Sequence, residues 1–319
     1  MTLDKKFENL FLNVSSRAAL SAYSFVGKKD KNAADKAAVD SMRNELNQLN
    51  IKGKIVIGEG ELDEAPMLYI GEKVGTTNGP EIDIAVDPLE GTNFAAYNLP
   101  GALSVIAIAE KNNLFHAPET YMEKISAKVN EKGVVDLDYS TKKNIFNLCE
   151  YLNKKPESIT ACIMDRPRHK DIIDELDILG VKIKLITDGD VSGALLVTDD
   201  KYGVDIFLGI GGGPEGVLAS AALDTFECNF QGRFLFHTED DMRRAKKMGI
   251  KDLTKKYQLK EIIKGDTIFC ATGITSSDLV SGIKIENDEY ISETLITHKS
   301  SGIKKIIKKF KIDRANHYL

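Results

Sequence analysis

Three times in the second half of this chain polar or glycine residues gather where a strand-like run ends. The segments are "ACIMDRPRH" (161–169), "VKIKLITDGDVSGALLV" (181–197) and "VDIFLGIGGGPEGVLASAAL" (204–223), the last two running on into helix-like stretches. Strands alternating with helices mark an α/β fold. In open α/β sheets, ligands bind beyond the C-terminal ends of the strands. One feature therefore bears on both the fold class and the place of the site. A chain of 319 residues is long enough for about two domains at roughly 100–200 residues each. A boundary near residue 165 is expected, dividing an N-terminal α+β lobe (1–165) from a more regularly βα lobe (166–319).

Composition removes several classes of function. Hydrophobic residues make up 42% and charged residues 29%, which suits a soluble protein with a substantial core. A formal net charge of −5 provides no global basic field for nucleic acid or anionic membrane. The lysine-rich stretch "HKSSGIKKIIKKFKIDR" (298–314) reads as a solvated or subunit-facing edge. No apolar run approaches the ~18–20 residues of a membrane span. The N-terminus lacks the apolar core and cleavage site of a secretory signal. Cys149, Cys162, Cys228 and Cys270 form no CxxC pair, so reduced thiols in a cytoplasmic protein are expected.

Local patterns place the chemistry-bearing residues. Residues 33–49 carry Val39, Met42, Leu46 and Leu49 at helical spacing. Asp35 falls on that same face. It is either a first-turn acid favoured by the helix dipole or a carboxylate that needs a partner. "KIVIGEGELDEAP" (54–66) is a short strand leaving through Gly58 and Gly60, with Glu59 between them. The acidic turn is either solvated surface or a close backbone approach to a ligand. "MLYIGEKVG" (67–75) looks like a short helix closed by Gly75. In "DPLEGT" (87–92), Pro88 is expected to stop the strand, and Thr92 or Asn93 to cap the next helix. That turn is either ordinary and solvated or part of a metal site.

Asp35, Glu59, Asp87, Glu90 and Glu215 are carboxylates at helix starts and strand exits. Oxygen donors of this kind suit Mg²⁺ or Mn²⁺. His116, His169, His237, His298 and His317 lack any close pair, so zinc is disfavoured. Arg166 and Arg168 flank Pro167 as a short basic claw, fit either for surface ion pairs or for phosphate. Gly211, Gly213 and Gly216 satisfy G-x-G-x-x-G, a dinucleotide fingerprint when it follows an early strand. Here Pro214 removes an N–H donor, and Glu215 sets a negative charge where a pyrophosphate would sit. A tight strand-to-helix turn serves as well.

Taken in order, "DKNAAD" (30–35), "IVIGEGELDEAPMLYIGEKVG" (55–75), "DIAVDPLEGT" (83–92), "RPRH" (166–169), "DGD" (188–190), "GIGGGPEG" (209–216) and "ATGIT" (271–275) closely resemble the class II fructose-1,6-bisphosphatases. That family sits within the lithium-sensitive, metal-dependent sugar and inositol phosphatases. The resemblance implies a layered α/β/α/β/α sandwich and a cytoplasmic, gluconeogenic, homo-oligomeric enzyme, dimer or tetramer. It implies hydrolysis of the 1-phosphate of fructose 1,6-bisphosphate with Mg²⁺ or Mn²⁺. Metal ligands would be Asp35, Glu59, Asp87, Glu90 and Glu215, and the catalytic threonine Thr92. Substrate contacts would be Glu90, Gly91, Thr92, Tyr121, Arg166, Pro167, Arg168, Asp188, Gly189, Asp190 and Gly212. Glu90 stands where the wider superfamily usually carries Asp, which is the class II pattern.

Sedoheptulose 1,7-bisphosphate and inositol monophosphate are rival substrates within the same chemistry, and the paired arginines favour a bisphosphate. A nicotinamide oxidoreductase built on Gly211–Gly216 and a silent sugar-phosphate-binding regulator are the readings from other classes. Thr92 beside five carboxylates argues against the silent binder, which would have no use for the hydroxyl.

Overall fold

The computed structural model describes residues 3–58, 68–287 and 289–313. In chain order the first elements are α1 (Lys6–Tyr23), α2 (Lys31–Asn47), β1 (Lys52–Ile57), β2 (Lys73–Val74), β3 (Glu81–Glu90), α3 (Thr92–Tyr97) and β4 (Leu103–Glu110). Next come β5 (Tyr121–Ala127), α4 (Thr141–Leu152), β6 (Thr160–Met164), α5 (Lys170–Ile178), β7 (Lys182–Ile186), α6 (Asp190–Leu195), β8 (Ile206–Gly212) and α7 (Gly213–Thr225). After them lie β9 (Asn229–Leu235), α8 (Glu239–Lys247), β10 (Lys256–Gln258) and α9 (Leu259–Ile262). The chain closes with β11 (Thr267–Gly273), β12 (Lys284–Glu286), β13 (Glu289–His298) and β14 (Ile303–Asp313).

These elements form two compact units. One comprises Met1–Phe115 with Ile263–Leu319, and the other is His116–Ile262. The division expected near residue 165 is therefore misplaced. Residue 165 directly follows β6, a strand interior to the second unit's sheet, where β7 and β8 flank it. The helix-rich pieces before residue 165 belong with the βα repeats after it, and the last four strands return to the first unit.

The first unit is a mixed sheet in the order β12-β13-β11-β4-β3-β1-β2, with β14 paired to β13. β1 and β3 are parallel, and the other pairs are antiparallel. Helices α1 and α2 bury Phe7, Phe11, Ala18, Met42 and Leu46 against alternate residues of the sheet, among them Ile84, Ile106, Ile108 and Ile268. A period of two on β3 and β4 makes that face continuous. Several buried hydroxyls within it pair with one another: Ser15 meets Thr272 at 2.8 Å and Thr272 meets Thr294 at 2.8 Å. α2 starts two residues earlier than expected because the Asp30 side chain caps it, accepting the Ala33 N–H at 3.0 Å. Leu49 falls beyond its end.

Two local expectations fail here. Of the 67–75 segment, the described residues from Leu68 form no helix: Gly71 adopts a φ of 99°, and Lys73–Val74 pair antiparallel with β1. A left-handed residue stops a right-handed helix. β3 also does not stop at Pro88. It runs to Glu90 because a ladder irregularity between Asp87 and Glu90 takes up the proline's missing N–H.

The second unit's sheet runs β10-β9-β5-β8-β6-β7. β7, β6 and β8 are mutually parallel, while β5 is antiparallel to β8 and β9. Alternation along β5 separates its two faces. Ile125 and Ala127 pack with Ile145 and Leu148 of α4 and Leu176 of α5. Met122, Lys124 and Ser126 point the other way, toward α6 and α7; Ser126 donates to the Ala194 carbonyl at 3.2 Å. Both units are thus one sheet carrying helices, the α/β makeup expected from the sequence.

A buried polar node ties the ends of the first unit together. His298 is fully buried, its Nδ1 2.5 Å from Glu8 Oε1 and its Nε2 3.2 Å from Asp266 Oδ2. Asp266 also accepts the Leu3 N–H at 2.8 Å and the Ser300 N–H at 2.9 Å. Burial pushes the Asp266 carboxyl up, but hydrogen bonds from Ser300, Leu3 and His298 outweigh it and hold the group below its ordinary value. A carboxylate with a depressed folded pKa stabilises above its unfolded pKa of ~3.9 and loses that contribution as pH falls toward the folded value. Asp266→Asn is expected to cost about 1.5–3 kcal/mol at neutral pH and to flatten the acid limb of stability below about pH 4. Urea melts at several pH values read both effects.

Candidate functional site

In the first unit the "DPLEGT" turn links β3 to α3. Pro88 and Leu89 are buried within the irregular stretch, Glu90 is 4% exposed, and Asp87 and Thr92 are half-buried. Gly91 adopts φ 79° and ψ 51° and caps α3, so Thr92 is the first helical residue rather than the cap. Only glycine takes that left-handed conformation at no steric cost. A Cβ on Gly91 would also meet the Phe94 ring at 2.8 Å. The turn presents Asp87, Glu90 and Thr92 within six residues. Asp35 is half-buried on α2, and α2 packs against both β3 and α3.

In the second unit the sheet topology gathers the other motifs. β7, β6 and β8 run parallel, so their C-terminal ends share one edge. Arg166–Arg168 follow β6, Asp188–Asp190 follow β7, and Gly211–Glu215 close β8 and open α7. Tyr121 begins the antiparallel neighbour β5 opposite Gly212, so it stands at that edge too. The sequence's three strand-end clusters thus meet on a single sheet edge.

The polar groups at this edge are held tightly. Arg168 donates through Nε and Nη2 to the Ile210 carbonyl at 3.0 and 2.8 Å. Its guanidinium lies 4.9 Å from the Tyr121 ring centroid, a cation–π distance. Tyr121 is 45% exposed and meets His237 edge-on at 6.2 Å, so it is a surface-facing platform and not core packing. Arg166 is half-buried and donates to the Asp165 carbonyl at 2.9 Å. Pro167 opens a short 3-10 turn that sets the two arginines apart.

His169 supports the claw from beneath. It is fully buried, with Nδ1 2.7 Å from the Met164 carbonyl and Nε2 accepting the Ile210 N–H at 2.8 Å. One nitrogen faces a carbonyl and the other a donor, so the ring is the neutral Nδ1–H tautomer. Burial lowers its pKa, and Arg168 adds to that, against the raising effect of the Met164 bond. Gly209 has a φ of 143°, and a Cβ there would meet the His169 ring at 3.1 Å.

On the opposite face of β5 from Ile125, Lys124 is 1% exposed. Its ammonium pairs with the Asp190 carboxylate and donates to the Gly212 carbonyl at 2.6 Å. Asp190 opens α6 behind Gly189, whose φ is 84°. Glu215 stands in the first turn of α7. Burial raises its pKa above the ordinary carboxylate value, with Lys124 pulling it down and Asp190 and Asp188 pushing it up. The glycines here make room for carboxylates: a Cβ on Gly211 would fall 2.0 Å from Asp190 Oδ2, and one on Gly212 1.8 Å from Glu215 Oε2. Space that a pyrophosphate would need is filled by acid, so the G-x-G-x-x-G match is a turn and not a dinucleotide site.

A divalent cation fits the chemistry of these donors. Glu215 Oε2 is buried and accepts no hydrogen bond from the described residues, and the candidate ligands are carboxylates throughout. Among the described residues no three acidic, histidine or cysteine side chains converge closely enough to hold a metal ion. Glu59 lies outside the described residues. The sequence pattern assigns no role to Lys124, and none to His169 or His237 beyond their places in the "RPRH" motif and among the unpaired histidines. The signal for Lys124 was present: a lysine between Met122 and Ser126 on a strand's inward face is misplaced unless it is paired.

What the fold and site define is an α/β protein with a strand edge lined by guanidinium and carboxylate. The family model of bacterial fructose-1,6-bisphosphatase, glpX-encoded, matches residues 5–311, and the chain belongs to that family. A Synechococcus sp. (strain JA-3-3Ab) protein named D-fructose 1,6-bisphosphatase class 2/sedoheptulose 1,7-bisphosphatase is 40% identical over 94% of this chain and 93% of its own. Fructose-1,6-bisphosphatase 1 class 2 of Escherichia coli (strain K12) is 42% identical over 95% of each chain. Among solved structures, the extragenic suppressor protein suhB from Bartonella henselae is 14% identical, covers 61% of this chain and 74% of its own, and has a TM-score of 0.35. That likeness is too slight to support any inference.

The neutral His169 has a pH consequence. With its folded pKa depressed, the unfolded chain binds more protons below ~6.5, so stability is full above that pH and falls as pH drops beneath it. His169→Leu removes both hydrogen bonds and is expected to cost about 1–3 kcal/mol. It should also remove this portion of the pH dependence. Denaturant melts from pH 5 to 8 check both.

Proposed function

We propose that this chain hydrolyses the 1-phosphate of fructose 1,6-bisphosphate, releasing fructose 6-phosphate and phosphate, with Mg²⁺ or Mn²⁺ as cofactor. The observation that carries the reading is the family match across residues 5–311, which includes every candidate site residue. Relatives named for both fructose 1,6- and sedoheptulose 1,7-bisphosphate support the second ketose bisphosphate as a further substrate. We place the enzyme in the cytoplasm, in gluconeogenesis, as a homo-oligomer. Among the described residues no helix is long and apolar enough to cross a membrane.

In this reading Asp35, Glu59, Asp87, Glu90 and Glu215 hold the cation or cations. A hard divalent ion held there would supply positive charge to polarise the scissile phosphate and offset charge that develops on it. The chain's own groups do the rest. The Thr92 hydroxyl, fixed at the first position of α3, orients the attacking water and takes part in moving its proton. Gly91 lets the backbone come close to the phosphate. Arg166 and Arg168 hold the distal phosphate, with Arg168 already anchored on Ile210 and Tyr121. That remote binding energy orients the reacting end. Asp188 and Asp190 accept hydrogen bonds from sugar hydroxyls, and Gly189 and Gly212 keep the approach open. α3 spans only six residues, so little electrostatic help is drawn from its dipole.

The test is phosphate release from fructose 1,6-bisphosphate, sedoheptulose 1,7-bisphosphate, inositol 1-phosphate and 3′-phosphoadenosine 5′-phosphate, each with Mg²⁺, Mn²⁺ or chelator. Metal-dependent release from the first substrate is expected, and its absence would overturn the reading. Thr92→Ala should lower kcat by about 10²-fold or more while the melting curve stays in place. Near-normal turnover removes Thr92 from the chemistry.

A further inference from the structure

We infer that Lys124 is a positioning residue for sugar recognition: its buried ammonium fixes the Asp190 carboxylate and the Gly212 carbonyl in the arrangement that receives the substrate. The inference rests on the reading of Asp190 as a sugar contact.

Three observations carry it. First, Lys124 is among the largest fully buried side chains of the chain. A buried ammonium is costly unless paired, and its two partners among the described residues, Asp190 and Gly212, are expected substrate contacts. The charge is therefore spent at the ligand-binding edge and not in the core. Second, the pairing is one-sided. Asp190 Oδ2 faces Lys124, while Oδ1 is buried and accepts no hydrogen bond from the described residues. The ammonium turns the carboxylate so that one oxygen is left for an incoming hydroxyl. Third, the stem is fitted. A Cβ on Gly216 would meet Lys124 Cδ at 3.3 Å, and one on Gly211 would meet the Asp190 carboxylate at 2.0 Å. Glycines at both places clear the lysine's path along α7 and the seat of its partner.

The geometry also explains why one cation serves several elements. Lys124 belongs to β5, Gly212 ends β8, and Asp190 opens α6. A single ammonium ties three chain segments at the point where β8 gives way to α7. Replacing it by an apolar group leaves Asp190 buried without its counter-charge, and the carboxylate loses the fixed direction that Oδ1 depends on. The reacting phosphate is handled by Thr92 in the proposed reaction, so the first effect falls on substrate binding.

The experiment is a double-mutant cycle in the full-length chain, with kcat and KM for fructose 1,6-bisphosphate at saturating Mg²⁺ and a thermal melt for each variant. Lys124→Met and Asp190→Asn are each expected to raise KM about tenfold, the scale of one lost hydrogen bond to a charged group, with a smaller fall in kcat. The double variant should be no worse than Asp190→Asn alone, because lysine acts through that carboxylate. A twofold or smaller KM change for Lys124→Met, or additive effects in the double variant, overturns the inference. Should Lys124→Met fail to fold, the double variant removes both buried charges together; kcat/KM equal to that of Asp190→Asn supports the inference, and a further tenfold loss overturns it. An unchanged KM for Asp190→Asn sinks the sugar-contact reading and the inference with it. Absence of hydrolysis by the unaltered enzyme reports failure of the proposed reaction itself.

Discussion

An ammonium group buried to 1% exposure dictates much of what surrounds it. Lys124 needs an anion within reach and acceptors for its remaining protons, because burial takes it out of bulk solvent. Asp190 must therefore open α6 at that point, the Gly212 carbonyl must turn toward β5, and the residues between must have no side chains to obstruct. The glycine run at the end of β8 follows from this requirement. It clears room for the protein's own carboxylates, Asp190 beside Gly211 and Glu215 beside Gly212. The same residues that look like a nucleotide cradle in one dimension are an acid-lined wall in three.

The second unit builds its edge from parallel β7, β6 and β8, and the first unit reaches a similar end by a different route. β3 is antiparallel to β4, and its useful residues come from an interruption in the ladder between Asp87 and Glu90. Extra backbone in one strand re-aims its side chains. Pro88 and Leu89 sink into the core while Glu90 and Thr92 are delivered to the turn. The proline that reads as a stop is thus the residue that makes the irregularity possible without an unsatisfied donor.

Much of this was legible in the chain, for identifiable reasons. The strand–glycine–helix pattern around 188–190 and 209–216 depends on local chemistry, and the structure places both motifs on one edge. The stripe of Val39, Met42 and Leu46 obeys helical period, and all three are buried. The illegible parts depend on distant partners. Residues 68–75 contain apolar groups at helix-like spacing, but Gly71 and pairing with β1 decide their form. Lys124 and His169 looked unremarkable because their meaning lies in Asp190 and Ile210, 66 and 41 positions away. The boundary near 165 failed because linear composition cannot show that the chain returns to an earlier sheet.

That return has a kinetic consequence. β4 and β11 are hydrogen-bonded neighbours in the first sheet, yet residues 116–262 intervene between the two parts of their unit. An open chain of that length would cost about 4 kcal/mol to close before the central pair gained anything. The ends of the intervening stretch, however, are brought together by the Leu114–Ile263 bridge and by the Lys264 N–H donating to the Asn113 carbonyl at 2.9 Å. Formation of the inserted unit from its own continuous sequence would shorten the loop that the enclosing sheet has to close. The connectivity therefore couples the closure of the first sheet to the compactness of the stretch inserted between its strands.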